Sequence, residues 1–488
     1  MAYFPDIVRS MRKLLLFTFA LIACSASGQT IDKYFESIRN NDAELTAFFS
    51  LMPKGGDLHN HFSGSVYAET YIDYVVGKDY VINEQTLEVR TIAPAREKGW
   101  VNFSKLNDSN LLSAYKQKLI QKWSVKDYNG VSYPSDKQFF ETFSGFNIAN
   151  KGAGRLDTGL LELKRRAVKE NVSYIETMFT SIGCENIAGI DPKFNQRLEE
   201  ALRNRDEAMT DRVLGELYEL LESKNIKQCA ASFNSELTAM HKRLHIDDAS
   251  FTMRYQNYVV RVMEPADVFK NLVLSFESAN TCPLIVGVNI VAPEDNEISM
   301  RDYWLHMEMF RFCHKKFPGV KYAMHAGELT LGLVKPEELT WHINAAVHTA
   351  GASRIGHGVD MAYEQNCYDL LRYMADNNIA IEINLYSNEF ILKVKNDQHP
   401  ITLYKEFNVP IVICTDDAGV LRSNLIHQYA LLAERYKDVS YRDIKKYVYN
   451  SIDYSFIKEE SVKAKLKSDL DTHFNRFEKQ VLAAHSKN

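Results

Sequence analysis

From Ile31 to Leu51 apolar residues recur at helical spacing, and Pro53 with Gly55-Gly56 ends the pattern, which predicts one or two amphipathic helices. Eight short apolar or β-branched runs follow, at Asp57–His61, Val172–Met178, Met253–Val262, Leu284–Val291, Val320–His325, Arg354–Gly356, Ala380–Leu385 and Pro410–Thr415. Longer helical patterns separate them. Strand and helix alternating at this rhythm predict parallel βα units, and eight such units predict an α/β chain closed into a (β/α)8 barrel of the TIM type. The main interruption is residues 75–150, after the first strand, which are polar, tyrosine-rich and broken by Gly130, Pro134 and Gly145. An insertion of that length predicts a lid or an inserted subdomain. No internal repeat is visible, so residues 29–488 read as one barrel domain with an elaborated first loop.

The start of the chain has a different pattern. Arg12-Lys13 precede the apolar run Leu14 to Ala23, and the small residues Ser25, Ala26, Ser27 and Gly28 come next. A charged start, a short apolar stretch and small residues predict a secretory signal over residues 1–28, too short to span a membrane. Two cleavage sites compete. Leu21-Ile22-Ala23-Cys24 resembles a bacterial lipoprotein box, whereas Ala26-Ser27-Gly28 before Gln29 suits ordinary signal removal. The expectation is an exported protein, periplasmic, secreted or lipid-anchored, that meets a membrane only through Cys24. A net charge of −5 with no basic tract argues against a nucleic-acid partner. The seven cysteines form no C-x-x-C pair, which makes them poor candidates for a zinc cluster or a disulfide scaffold, and Cys414 reads as core. Nothing in the pattern specifies an oligomer.

The chemistry lies at the ends of the predicted strands. His59 and His61 are two apart, so both imidazoles point to one side of their strand, the mouth of a barrel at its C-terminal end. Alone, such a pair is as well read as two polar loop residues. His325 ends a second run, with Glu328 three residues on, where a carboxylate can carry protons for a metal-bound water without being a ligand. Gly327 between them leaves the backbone open to a flat substrate. His357 lies between two glycines, a poor place for a packed core histidine, and Asp416-Asp417 close the last run. Adjacent residues at a strand end point different ways, so one aspartate can bind metal while the other faces substrate. Three histidines and a carboxylate suit one zinc ion with a water in the open position, whose pKa zinc lowers from 15.7 to roughly 7.

With these clusters the chain resembles the adenosine deaminase family of metal-dependent hydrolases. The matching segments are Met52–His61, His325–Glu328, Arg354–Gly358, Ser387-Asn388 and Thr415–Asp417. It looks closest to the secreted adenosine deaminase-related growth factors, through Met52-Pro53-Lys54-Gly55, Arg254-Tyr255-Gln256, Tyr386-Ser387-Asn388 and His399-Pro400. The long N-terminal dimerisation segment of the animal members is missing, so growth-factor signalling is not implied. The resemblance implies that His59, His61, His325 and Asp416 bind zinc. It implies that Glu328 protonates purine N1, that His357 orients and deprotonates the water, and that Asp417 holds that water or purine N7. Water then adds to C6 of adenosine or 2′-deoxyadenosine, and ammonia leaves.

Some positions depart from the family. Where the family often has an acid for the ribose, Phe62-Ser63-Gly64 follow the histidine pair. Ala292 stands where a family glycine offers its N–H to purine N3, and its methyl narrows the approach. Ala418 replaces a proline. Phe139, Phe140, Phe143 and Phe146 follow Pro134 at helical spacing. They predict an aromatic wall over the purine, with the middle pair facing it more than Phe139 and Phe146, which suit the helix's own core. Two other functions stay open: a deaminase of adenine or another aminopurine, and a secreted nucleoside-binding protein without catalysis.

Overall fold

The computed structural model describes residues 31–106, 109–131, 133–148, 155–184, 187 and 189–485. The expected signal at 1–28, with Cys24 and both cleavage sites, lies outside the described residues. Eleven strands occur among the described residues: β1 (Gly56–His61), β2 (Val81–Asn83), β3 (Val89–Arg90), β4 (Trp100–Asn102), β5 (Tyr174–Thr180), β6 (Thr252–Val260), β7 (Ile285–Val291), β8 (Lys321–Ala326), β9 (Arg354–His357), β10 (Ala380–Ile383) and β11 (Ile411–Ile413). Eight of them form one parallel sheet in the order β1-β5-β6-β7-β8-β9-β10-β11.

The sheet closes where the chain leaves β11. The N–H of Asp416 donates to the carbonyl of His59 at 2.9 Å, and the N–H of His61 donates to the carbonyl of Asp416 at 3.3 Å. This makes the chain a (β/α)8 barrel, and each of the eight predicted runs coincides with one of its strands to within three residues at either end. The last strand is short because Ile411-Val412-Ile413 is its whole β-branched core.

Helices wrap the barrel, and some of their starts are capped by side chains. Asn296 accepts the N–H of Ile298, and Ser440 with Asp443 forms a capping box. At the N-terminus, residues 31–38 and Asp42–Leu51 are helical. From the second of these, Phe48 meets Phe477 edge to face and Phe49 stacks on Tyr429. Between β1 and β5 the chain forms the helices Phe62–Ser65 and Ala68–Gly77, an antiparallel sheet ordered β3-β2-β4, and the helices Ser109–Lys122 and Ser135–Phe146. Among the described residues no helix is long and apolar enough to cross a membrane. One disulfide joins Cys184, just after β5, to Cys229 in the helix Ile226–Arg243. The cysteine spacing gave no sign of this pair, because the two are 45 residues apart and meet only when the barrel forms.

Candidate active site

Strand ends bring the predicted metal-type residues together. Ligand-capable atoms of His59, His61, His325 and Asp416 lie within 4.8 Å of one another, and so do those of Glu328, His357 and Asp416. His61 Nε2 stands 3.1 Å from His325 Nε2 and 3.2 Å from Asp416 Oδ1, while His59 Nε2 is 3.5 Å from the same carboxylate oxygen. Four donors at about 2.0–2.1 Å from one tetrahedral ion sit about 3.3 Å apart, so this spacing fits a single ion.

The tautomers fit as well. His59 Nδ1 lies 2.8 Å from Glu382 Oε2, and His325 Nδ1 lies 2.9 Å from Asn289 Oδ1. Both partners accept, so each ring carries its proton on Nδ1 and presents a lone pair on Nε2. The buried Nε2 of His59 has no hydrogen-bond partner, the mark of an atom placed for an ion. Burial works to raise the Glu382 carboxyl, but Arg354 and His59 overcome it and hold the group below its usual range. Arg354 in turn bonds Glu382 through Nε at 2.5 Å and Glu176 through Nη2 at 2.5 Å.

The catalytic candidates ring this cluster. Burial, reinforced by the charges of Asp416 and Glu294, pushes the Glu328 carboxyl well above its usual range. Its loop is fixed by Glu294, whose oxygens accept the N–H groups of Gly327 at 3.1 Å and Glu328 at 2.9 Å, and whose Oε1 also pairs with His342 Nδ1 at 2.6 Å. Asp417 is buried, its Oδ1 has no partner, and burial followed by the Asp416 charge raises its carboxyl well above the ordinary value. The hydrogen face of Gly64 lies against that carboxylate; a methyl there would stand 1.6 Å from Asp417 Oδ1. His357 Nδ1 lies 3.0 Å from Asn388 Nδ2 and 3.6 Å from Glu328 Oε1.

These groups open onto a cavity of about 390 Å³. Its polar lining is His61, Ser63, His325, Glu328, His357, Asp416 and Asp417, with Tyr258. The remaining wall is apolar, made by Phe139, Phe140 and Phe143 from the insertion and by Met178, Val260, Val291, Ala292, Pro293 and Ile391. Phe140 and Phe143 therefore reach the cavity, and so does Phe139, which the spacing had favoured for the core. Phe146 turns away and stacks on Tyr71 at 4.8 Å.

Gly327 is placed differently from the sequence reading. It does not line the cavity, its N–H is held by Glu294, and a Cβ would meet Asp360 and Ile343 at under 3 Å. Its glycine serves close packing and a φ of +72°. Glu382, Asn289 and Glu294 were missed as functional partners. The sign of Glu382 and Asn289 in the sequence is a lone polar residue inside otherwise apolar strands, Ile381-Glu382-Ile383 and Val288-Asn289-Ile290, whereas Glu294 lies in the loop after β7 and has no such sign.

Known proteins place the chain among deaminases. Residues 253–473 match the adenosine deaminase family profile. The adenosine deaminase of Clostridium kluyveri is 27% identical over 424 residues, covering 86% of this chain and 93% of its own length. Two solved structures share the fold: the adenine deaminase of Arthrobacter aurescens (TM-score 0.55, 13% identity, 87% of this chain and 99% of that one), and a zinc-bound amidohydrolase of Burkholderia ambifaria (TM-score 0.51, 15% identity, 90% and 94%). Sequence similarity along nearly the whole barrel thus joins the arrangement of acid, histidines and paired aspartates at its mouth, and the chain is a hydrolytic deaminase similar to the adenosine deaminases.

Proposed function

We propose that the chain deaminates adenosine and 2′-deoxyadenosine to inosine and 2′-deoxyinosine, with one zinc ion held by His59, His61, His325 and Asp416. The coarser activity, hydrolytic deamination of a small purine, accords with the family and its fold neighbours. Zinc is supported by the three-histidine, one-carboxylate donor set and by its presence in the Burkholderia neighbour. Bound there, zinc lowers the pKa of water to roughly 7 and so supplies hydroxide at neutral pH.

The protein's own groups do the rest. Glu328, protonated in its buried place, delivers a proton to purine N1, which makes C6 electrophilic. His357 orients the attacking oxygen, and Asp417 holds that oxygen or purine N7. Addition at C6 gives a tetrahedral carbon, the C6–N6 bond breaks, and ammonia leaves. Phe140 and Phe143 cover the base.

The observation that carries the substrate assignment is the cavity lining: proton-handling groups at one end, aromatic and aliphatic walls elsewhere, and, among the described residues, no lysine or arginine. A nucleotide's phosphate needs such a cation, so nucleosides suit this cavity better than AMP. Ser63 in place of an acid removes repulsion against phosphate without adding attraction. The test is ammonia release from adenosine, deoxyadenosine, adenine and AMP, compared as kcat/KM. Preference for the two nucleosides is expected. Preference for AMP or adenine would overturn the substrate while leaving the metal reading standing.

We also infer export. The N-terminal pattern, the secreted-branch resemblance and the Cys184–Cys229 disulfide, a bond that persists in oxidising compartments, support it. If Cys24 carries lipid, Cys24→Ser moves the protein from the membrane to the soluble fraction. Unchanged partition points to cleavage near Gln29.

A further inference from the structure

Behind His357, on the side away from the cavity, three buried polar groups form a chain whose direction can be read from one end. The backbone N–H of Ile401 lies 3.2 Å from His399 Nδ1. A peptide N–H only donates, so His399 Nδ1 accepts, and its proton is on Nε2. His399 Nε2 lies 3.0 Å from Asn388 Oδ1, which accepts it. The amide of Asn388 is thereby fixed with its NH2 group facing the other way, 3.0 Å from His357 Nδ1. An amide nitrogen donates, so His357 Nδ1 must accept.

We propose that Asn388 and His399 are positioning residues that hold His357 in the tautomer with its proton on Nε2. A proton on Nδ1 of His357, in either the neutral or the charged ring, would face the Asn388 NH2 group donor to donor. Turning the amide over would only move the conflict to His399, which the Ile401 N–H has already committed. Both positioning side chains are fully buried, so no solvent competes for these bonds. Burial also holds the His399 imidazole down to about 3, which keeps it neutral. The other groups facing His357 do not compete for Nδ1: Glu328 Oε1 is 3.6 Å away, beyond a hydrogen bond, and His59 and His325 present their rings at 4.9 and 5.3 Å.

The consequence concerns the role of His357. A ring with its proton on Nε2 and Nδ1 occupied approaches the reacting centre as a hydrogen-bond donor. It holds an oxygen in place, and it has no free lone pair with which to act as a base. The resemblance assigned His357 both orientation and deprotonation, and the hydrogen-bond chain leaves it orientation.

The tautomer is measurable without turnover. In zinc-loaded protein labelled with ¹⁵N in the histidine rings, long-range ¹H–¹⁵N correlations report which ring nitrogen is protonated, and His357→Gln identifies the signals. The expected spectrum shows His357 protonated on Nε2 and bare on Nδ1; a proton on Nδ1 overturns the proposal. Asn388→Asp replaces the donor by a group that only accepts, and so draws the proton to Nδ1. That variant should keep its metal, show the reversed tautomer, and lose kcat by about 10²-fold or more with little change in KM, as expected when a catalytic histidine is held in the wrong tautomer. Retained Nε2 protonation or wild-type kcat in Asn388→Asp contradicts the proposal, and if that variant fails to fold, the wild-type spectrum decides alone. Only the kinetic readout rests on the deaminase reading. A protein that deaminates no purine yet shows the predicted tautomer would sink that reading and leave this one intact.

Discussion

Three side chains at the cavity sit on backbone that most residues avoid: Ala292 at φ 92°, His357 at 69° and Asp416 at 62°. Strained backbone of this kind gathers at functional sites, where the surrounding structure holds it. For Ala292 the strain is local and removable. Ala292→Gly relieves a left-handed alanine, offset in part by the greater freedom of glycine in the unfolded chain. A net gain of about 0.5–1 kcal/mol in urea unfolding is expected, together with a lower KM as the methyl leaves the cavity wall. Loss of stability would show that the alanine methyl contributes packing worth more than its strain. The metal-type residues were legible at this scale because each closes an apolar run, a pattern with local meaning. Their partners were not. Which carboxylate holds His59 depends on the register of β10 across the barrel, and 323 residues separate Glu382 from it.

The helix Ser135–Phe146 carries the insertion's contribution to the cavity. Its helical spacing sends Phe146 into the core against Tyr71 and leaves Phe140 and Phe143 half-buried at the wall. Stacking of a base on an aromatic ring contributes about 1–3 kcal/mol. Phe143→Ala should therefore cut kcat/KM for adenosine roughly tenfold, chiefly through KM, with metal content unchanged. An effect on kcat alone would mean that the helix acts on the chemistry instead of on binding. The eight barrel strands were readable because short apolar or β-branched runs alternate regularly with longer helical patterns. The small sheet β3-β2-β4 was not, since strands of two or three residues carry no periodicity and exist only through their pairing.

At the scale of the whole molecule, two features set the conditions under which it stays folded. The disulfide closes a separation of 45 residues, and the chain-entropy account gives such a crosslink about 4 kcal/mol. Reduction, or the double change Cys184→Ser with Cys229→Ser, should lower the urea midpoint accordingly. An unchanged midpoint would mean that the two cysteines are not joined in the folded protein. The second feature is His306, fully buried in the helix Glu297–Lys316 with neither ring nitrogen bonded. Burial, opposed by Asp302 and aided by Arg261 and Arg301, brings its imidazole down to about 4. The unfolded chain takes up this proton near pH 6.5 and the folded one near 4. Its contribution is therefore complete above 6.5 and is lost as pH falls towards 4, by about 1.4 kcal/mol per unit. His306→Phe should flatten the dependence of unfolding free energy on pH between 6.5 and 4, and an unaltered slope would place the titration elsewhere.

The account as a whole turns on a metal centre and a separate acid sharing one cavity, and Glu328→Gln tests both at once. Glutamine keeps the shape and the backbone bonds to Glu294 but cannot deliver a proton to N1. Purified wild-type and variant protein, each assayed for bound zinc and for ammonia released from adenosine, give the measurement. The prediction is one zinc per chain in both, with turnover in the variant lower by about 10²–10⁴-fold. Near-normal turnover in Glu328→Gln, or wild-type protein that releases ammonia without a bound metal, would contradict it.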